Sequence, residues 1–252
     1  MKVYGSRPGR RSTPSGCVLA GLAACAVALA VGAMPVAAAP TKAPKVEQLV
    51  AFKSGKVIEK AVRVPTTRVR VEGRRCAVGE GTALASLVRA HPGKIGLADY
   101  GRCTARPRDA GALYVRSIRS EAARGLSGWV YKVGRRLATA GAGDPAGAFG
   151  NGRLRGGQRV TWFYCRLRDA SCQRTLVAEP RVAADGVAVT VRGYDDDGKG
   201  VAVPGATVSA GGAQAVTDAS GRATLALAPG AYWVRAEKAG LVPSFRERVI
   251  VP

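Results

Sequence analysis

The side chains able to do chemistry are few and widely spaced. The chain has one histidine, His91, and six cysteines among 252 residues. A single histidine leaves little room for His-metal clusters, His-based triads or a His-rich pH switch. No GxSxG, HExxH or phosphate-loop motif occurs. His91 precedes Pro92-Gly93 and reads as a helix-ending turn residue rather than a ligand. Two carboxylate pairs can be drawn for acid/base work, Asp109 with Glu121 and Asp99 with Asp144. Nothing in their spacing pairs them, and the abundant arginine holds them ionised, so surface ion pairing is the preferred reading. Asp195-Asp196-Asp197-Gly198 has adjacent rather than alternating carboxylates and no glutamate at the distance a calcium loop needs. It reads as a polar hairpin turn. These residues point to a protein that is not an enzyme and holds neither a metal nor a cofactor.

The cysteines divide by position. Cys17 and Cys25 fall in an apolar N-terminal run, and four remain beyond it: Cys76, Cys103, Cys165 and Cys172. An even number in an exported chain argues for two disulfides, with three connectivities open. Cys165 and Cys172 flank a short polar connection, and Cys76 and Cys103 flank a helix-sized segment, which favours the two sequential pairs. No CxxC spacing is present, and zinc is disfavoured.

Four aromatics form the other candidate site. Trp129 and Tyr131 share one strand face, as do Trp162 and Tyr164. They read either as a platform for a sugar or another flat ligand, or as cross-strand core packing, which small sheets need. Packing is preferred.

These side chains need elements to hold them. Residues 67–72 alternate, with Val69 and Val71 on one face and Arg68 and Arg70 on the other, which is strand periodicity. Thr82 can cap a helix whose Leu84, Leu87 and Val88 fall on one side. Further strands are expected at residues 113–118, 128–133 and 159–165, giving an α+β unit with one main helix on a mostly antiparallel sheet. From residue 186 onward short strands recur between turn pairs such as Gly211-Gly212, Ser220-Gly221 and Pro229-Gly230. That spacing predicts a small all-β sandwich.

The first 38 residues read as an address. Lys2, Arg7, Arg10 and Arg11 precede an uncharged run from Cys17, and Val36-Ala37-Ala38 supplies the small residues of a cleavage site. Cleavage is placed after Ala38. An uncleaved anchor is the rival reading, because the run is long enough to span a bilayer. A lipoprotein box ending at Cys25 and a twin-arginine signal at Arg10-Arg11 both fit poorly. No later segment is apolar enough to span a membrane, so the expected location is secreted or in the cell envelope.

Charge is uneven along what remains. Residues 41–180 hold 27 basic and 10 acidic residues, whereas residues 181–252 hold 8 and 7. Twenty of those 27 are arginine, as high-GC codon usage would give. The functional reading is contact with an anionic wall or surface polymer. Basic pairs such as Arg74-Arg75 and Arg135-Arg136 are scattered and stacking aromatics few, which disfavours nucleic acid.

Two resemblances sharpen this outline. Gly128-Trp129-Val130-Tyr131-Lys132-Val133-Gly134, preceded by the Thr82-led helix and followed by Leu154-Arg155-Gly156-Gly157-Gln158 and Thr161-Trp162-Phe163-Tyr164, resembles the transcobalamin C-terminal-like family over about residues 65–165. Residues 145–152 and the four cysteines depart from its pattern. The resemblance implies an α+β fold and, only distantly, corrinoid binding, because the family's carriers add a helical domain for which this chain has no room. Gly205-Ala206-Thr207-Val208, Thr217-Asp218-Ala219-Ser220-Gly221 and Leu227-Ala228-Pro229-Gly230-Ala231-Tyr232 resemble the carboxypeptidase regulatory-like domain, a prealbumin-like, carbohydrate-binding-like accessory module.

The expected organisation is therefore a signal peptide at 1–38 and an N-terminal segment at 39–64. An α+β domain at 65–178, a linker at 179–185 and a β-sandwich at 186–252 follow. The expected function is an exported, non-catalytic cell-envelope interaction protein whose basic domain contacts anionic polymers. The alternative is a small-ligand binder, for carbohydrate or corrinoid, using Trp129, Tyr131, Trp162 and Tyr164.

Overall fold

A computed structural model describes residues 42–252. The expected signal peptide and its cleavage after Ala38 lie outside the described residues. What is described is mostly strand, with one α-helix and several sheets.

The first half begins with a hairpin, β1 (Lys45–Ala51) and β2 (Val57–Arg63), in the stretch expected to be an N-terminal segment. A second hairpin, β3 (Thr67–Val71) and β4 (Arg74–Val78), leads to α1 (Ala83–Ala90). Then come β5 (Ile95–Asp99), β6 (Leu113–Ile118), β7 (Glu121–Ala122), β8 (Gly128–Val133), β9 (Arg136–Leu137) and β10 (Arg159–Cys165). The main sheet has the order β2-β1-β10-β8-β9. β1 runs parallel to β10, with Glu47 opposite Arg159 and Val50 opposite Trp162, and the other pairings are antiparallel. The hairpin thus supplies a central strand rather than an extension.

Alternation along these strands assigns two faces. Val46 and Val50 of β1, Trp129, Tyr131 and Val133 of β8, and Val160, Trp162 and Tyr164 of β10 join one buried cluster with Leu84 and Leu87 of α1. The helix starts and stops as its residue types dictate. Thr82 accepts a bond from the Ala85 amide, and His91 closes the helix in the left-handed region at φ 51°. Ser86 donates to Gln48 Oε1 at 2.6 Å, tying helix to sheet.

The second half comprises β11 (Thr175–Ala183), β12 (Gly186–Tyr194), β13 (Gly200–Ala202), β14 (Thr207–Ala210), β15 (Ala213–Val216), β16 (Arg222–Leu225), β17 (Gly230–Glu237) and β18 (Glu247–Val251). One sheet runs β11-β12-β13, with β16 also on β12, and the other β15-β14-β17-β18. Val187, Val189 and Val191 from the first and Val208, Val234 and Ala236 from the second share a buried cluster. Residues 179–185, expected as a linker, are instead the end of β11 and its turn into β12, with Pro180 opposite Val189. Proline is tolerated there because β11 is an edge strand. Gly186 turns the chain at φ 131°, where a Cβ would meet the Leu225 carbonyl oxygen.

The main sheet's other face is covered too. Leu49, Ala51, Phe163 and Cys165 from it pack with Val242 and Phe245 of the second half. Arg159 grips both carboxylate oxygens of Glu247, and Glu59 receives Arg235 and Arg246. Residues 42–252 form one compact unit.

Candidate functional site

Each side chain singled out above has a defined place. Cys76 is bonded to Cys103 and Cys165 to Cys172, the sequential pairs. The first ties β4 to the loop after β5, and the second staples the loop that follows β10.

The four aromatics sit within the helix-side cluster rather than on a solvent face. Trp129, Tyr131, Trp162 and Tyr164 are each at most 6% exposed. Tyr131 stacks on Trp162 with ring centroids 5.0 Å apart, and Trp129 meets Tyr164 edge-on at 6.0 Å. β10 and β8 bring the two pairs together on one face, in the cluster that also takes in residues of α1 and β6. Their polar atoms are mostly consumed. Trp129 Nε1 donates to the Glu121 carbonyl, Tyr131 Oη to Ala140 and Gly141, and Tyr164 Oη to Ala122 and Ser127. Burial pushes the Tyr131 hydroxyl above the ordinary tyrosine range. Trp162 Nε1 and Gln48 Nε2 are buried without a partner. A pocket of about 180 Å³ lies between β6 and β8, lined by Trp129, Tyr131 and Trp162 together with Leu113 and Tyr114.

The carboxylates are separately employed. Asp99 accepts from the Cys103 and Gly101 amides and pairs with Arg74 at 3.0 Å, so its carboxyl is held below the ordinary value. Asp109 accepts from Thr104, Glu121 from the Lys53 and Ser54 amides, and Asp144 from the Ala146 amide. Among the described residues no three His, Cys, Asp or Glu side chains group as metal ligands. No described helix is long and apolar enough to cross a membrane.

No protein-family model, curated protein or solved structure matches the chain. What the chain can do therefore rests on its own geometry.

Two features of that geometry carry information that the residue pattern did not. The first is Lys132, fully buried on the sheet face opposite the aromatics. Its ammonium donates to the Tyr194 and Asp195 carbonyls at 3.0 and 2.8 Å and lies 3.6 Å from Asp196 Oδ1. The aspartate run is thus a receptor for a lysine from the other half. Asp195 accepts from the Lys199 amide, and Gly198 completes the turn at φ 83°. Asp196 also accepts from the Cys172 amide. Burial pushes the Lys132 ammonium below the ordinary lysine value, and Asp196 opposes that push.

The second feature is exposure. Trp233 is 56% exposed, although it is the fourth residue of β17, whose Val234 and Ala236 point into the core. Strand alternation alone places it outward. Of the basic residues in 42–180, all but Lys132, Arg159 and Arg174 are exposed. Three of those exposed cations, Arg74, Arg108 and Arg135, have an acidic partner among the described residues.

Proposed function

We propose that this is an exported, non-catalytic envelope or surface protein that binds anionic polymers through its basic first half. The single observation that supports it is that 24 of the 27 cations of residues 42–180 are exposed and only three of those have a carboxylate partner among the described residues, leaving 21 unpaired there. Such a surface attracts polyanions over a Debye length and releases them as salt rises. In this reading the first half is the transcobalamin C-terminal-like α+β module, with the β1–β2 hairpin contributing an interior strand to its main sheet. The second is the carboxypeptidase regulatory-like sandwich, an accessory module docked against it. Retention of the purified chain, residues 39–252, on isolated bacterial envelope should fall steeply across a salt series. Salt-independent retention, or none, overturns the reading.

Export is supported by the two closed disulfides and by the N-terminal residue pattern. Intact mass of the protein recovered from culture medium should fit a start at Ala39 and lie four hydrogens below the reduced chain. A full-length mass with four alkylatable thiols would contradict it.

The pocket beside Trp162 favours a second reading, a small-ligand binder. At about 180 Å³ it suits a single ring-sized group, and Trp162, whose indole N–H is buried without a partner, is among its lining residues. A corrinoid far exceeds it. Retention at high salt that a free sugar competes away would move the conclusion to this reading.

A further inference from the structure

We propose that a crevice between the two halves is the place where an anionic polymer segment is seated, held by Lys53 and Arg166 on one wall and Lys238 on the other. The inference rests on the polyanion reading above and adds a location. The crevice encloses about 520 Å³ and runs from the β1–β2 turn and the loop after β10 to the segment joining β17 and β18.

The first wall is built rather than incidental. Tyr164 forms part of it, with its ring buried and its hydroxyl already engaged. The Lys53 ammonium rests 4.2 Å from the centre of that ring. Arg166 is fixed from three directions. Its amide donates to Gln173 Oε1 at 2.9 Å, while Gln173 Nε2 donates back to the Tyr164 carbonyl at 3.1 Å. Its guanidinium reaches the Lys53 carbonyl at 3.4 Å. The Cys165–Cys172 disulfide closes the loop that carries it.

Both cations thus line the same wall, one over the Tyr164 ring and the other against the Lys53 carbonyl. Across the crevice, the half-buried Lys238 is anchored by the Pro204 carbonyl, which leaves its charge uncompensated. None of the three cations forms an ion pair with a described residue. The acid on the lining is Glu237, which is exposed. An arginine fork and an ammonium on one wall, with a second ammonium on the other, match the oxygens of a phosphate-bearing chain. The second half is then half of the binding site rather than a spacer.

The test uses the chain of residues 39–252 and inorganic polyphosphate as probe, with affinity measured near physiological ionic strength. The variant pair Lys53→Ser/Arg166→Ser should weaken binding about tenfold and flatten its salt dependence. Lys238→Ser, on the opposite wall, should weaken it about threefold. Arg68→Ser/Arg70→Ser removes the same charge from β3 and should change binding less than about twofold. Unchanged thermal melting and intact disulfides confirm that each variant folds. Equal losses from the crevice and β3 pairs would overturn the crevice while sparing the general polyanion reading. Absence of binding by the parent chain would overturn both.

Discussion

Replacing Lys132 with alanine is expected to cost about 3–5 kcal/mol and to lower the melting temperature by about 10 °C. The substitution strips two buried carbonyls, Tyr194 and Asp195, of their donor and leaves Asp196 facing an empty position. Lys132→Met keeps the stem and should lose less. Asp196→Asn keeps an acceptor on a partly exposed group and should cost about 1 kcal/mol. Thermal denaturation of the three variants ranks them. A Lys132→Ala variant within about 1 kcal/mol of the parent would show that the contact between the halves does not depend on this lysine.

The same residue sets a pH dependence. In the unfolded chain Lys132 titrates near the ordinary value of 10.5, and in the folded chain below it. Between those two values the unfolded state binds more protons, so stability rises with pH across that window, relative to Lys132→Met. Below the folded value both states are protonated and the difference is flat. A difference that instead fell as pH rose toward 10.5 would contradict the assigned direction.

Removal of the Cys76–Cys103 disulfide, as Cys76→Ala/Cys103→Ala, should cost about 3–4 kcal/mol. Removal of Cys165–Cys172 should cost about 2–3 kcal/mol, because the longer closed loop restrains the unfolded chain more. The separations are 27 and 7 residues. The longer bridge also joins β4 to the loop where Asp99 receives the Cys103 amide, beside the Arg74–Asp99 ion pair and the Ala77–Thr104 backbone bond. Equal losses, or the reverse order in denaturant titrations, would show that native contacts outweigh loop closure.

The parts of the fold that were legible in the sequence are those where one face of an element is buried. β6, β8 and β10 fall on residues 113–118, 128–133 and 159–165, and α1 lies between Thr82 and His91, because alternation or capping marks them. β1 escaped for the opposite reason. It is covered on both faces, so Leu49, Val50 and Ala51 are buried in succession and the period of two disappears. Gln48, fully buried against Ser86, further disguises it as a polar segment. The end of β11 was masked by Pro180, which an edge strand accepts.

The site was legible in its members and not in its setting. Alternation paired Trp129 with Tyr131 and Trp162 with Tyr164, but it could not show that α1 and β6 would cover them. Lys132 sits on the opposite face of the same strand, where local pattern reads as solvent. Only the arrival of residues 194–196 from the second half turns that face into an interior. Arg166, Lys53 and Lys238 are likewise ordinary surface cations until the fold brings distant segments to one crevice.

The parallel pairing of β1 with β10 also constrains how the chain acquires its shape during synthesis. Glu47 and its partner Arg159 are 112 residues apart, so the β1–β2 hairpin leaves the ribosome long before its second neighbour exists. An unpaired strand edge is a template for other chains. Lys45, Lys53, Lys56 and Lys60 outnumber Glu47 and Glu59 on and beside this hairpin, and a net like charge opposes edge-to-edge pairing of two copies. Part of the chain's positive charge thus lies on the hairpin whose second neighbour is the most distant in sequence of any strand partner among the described residues.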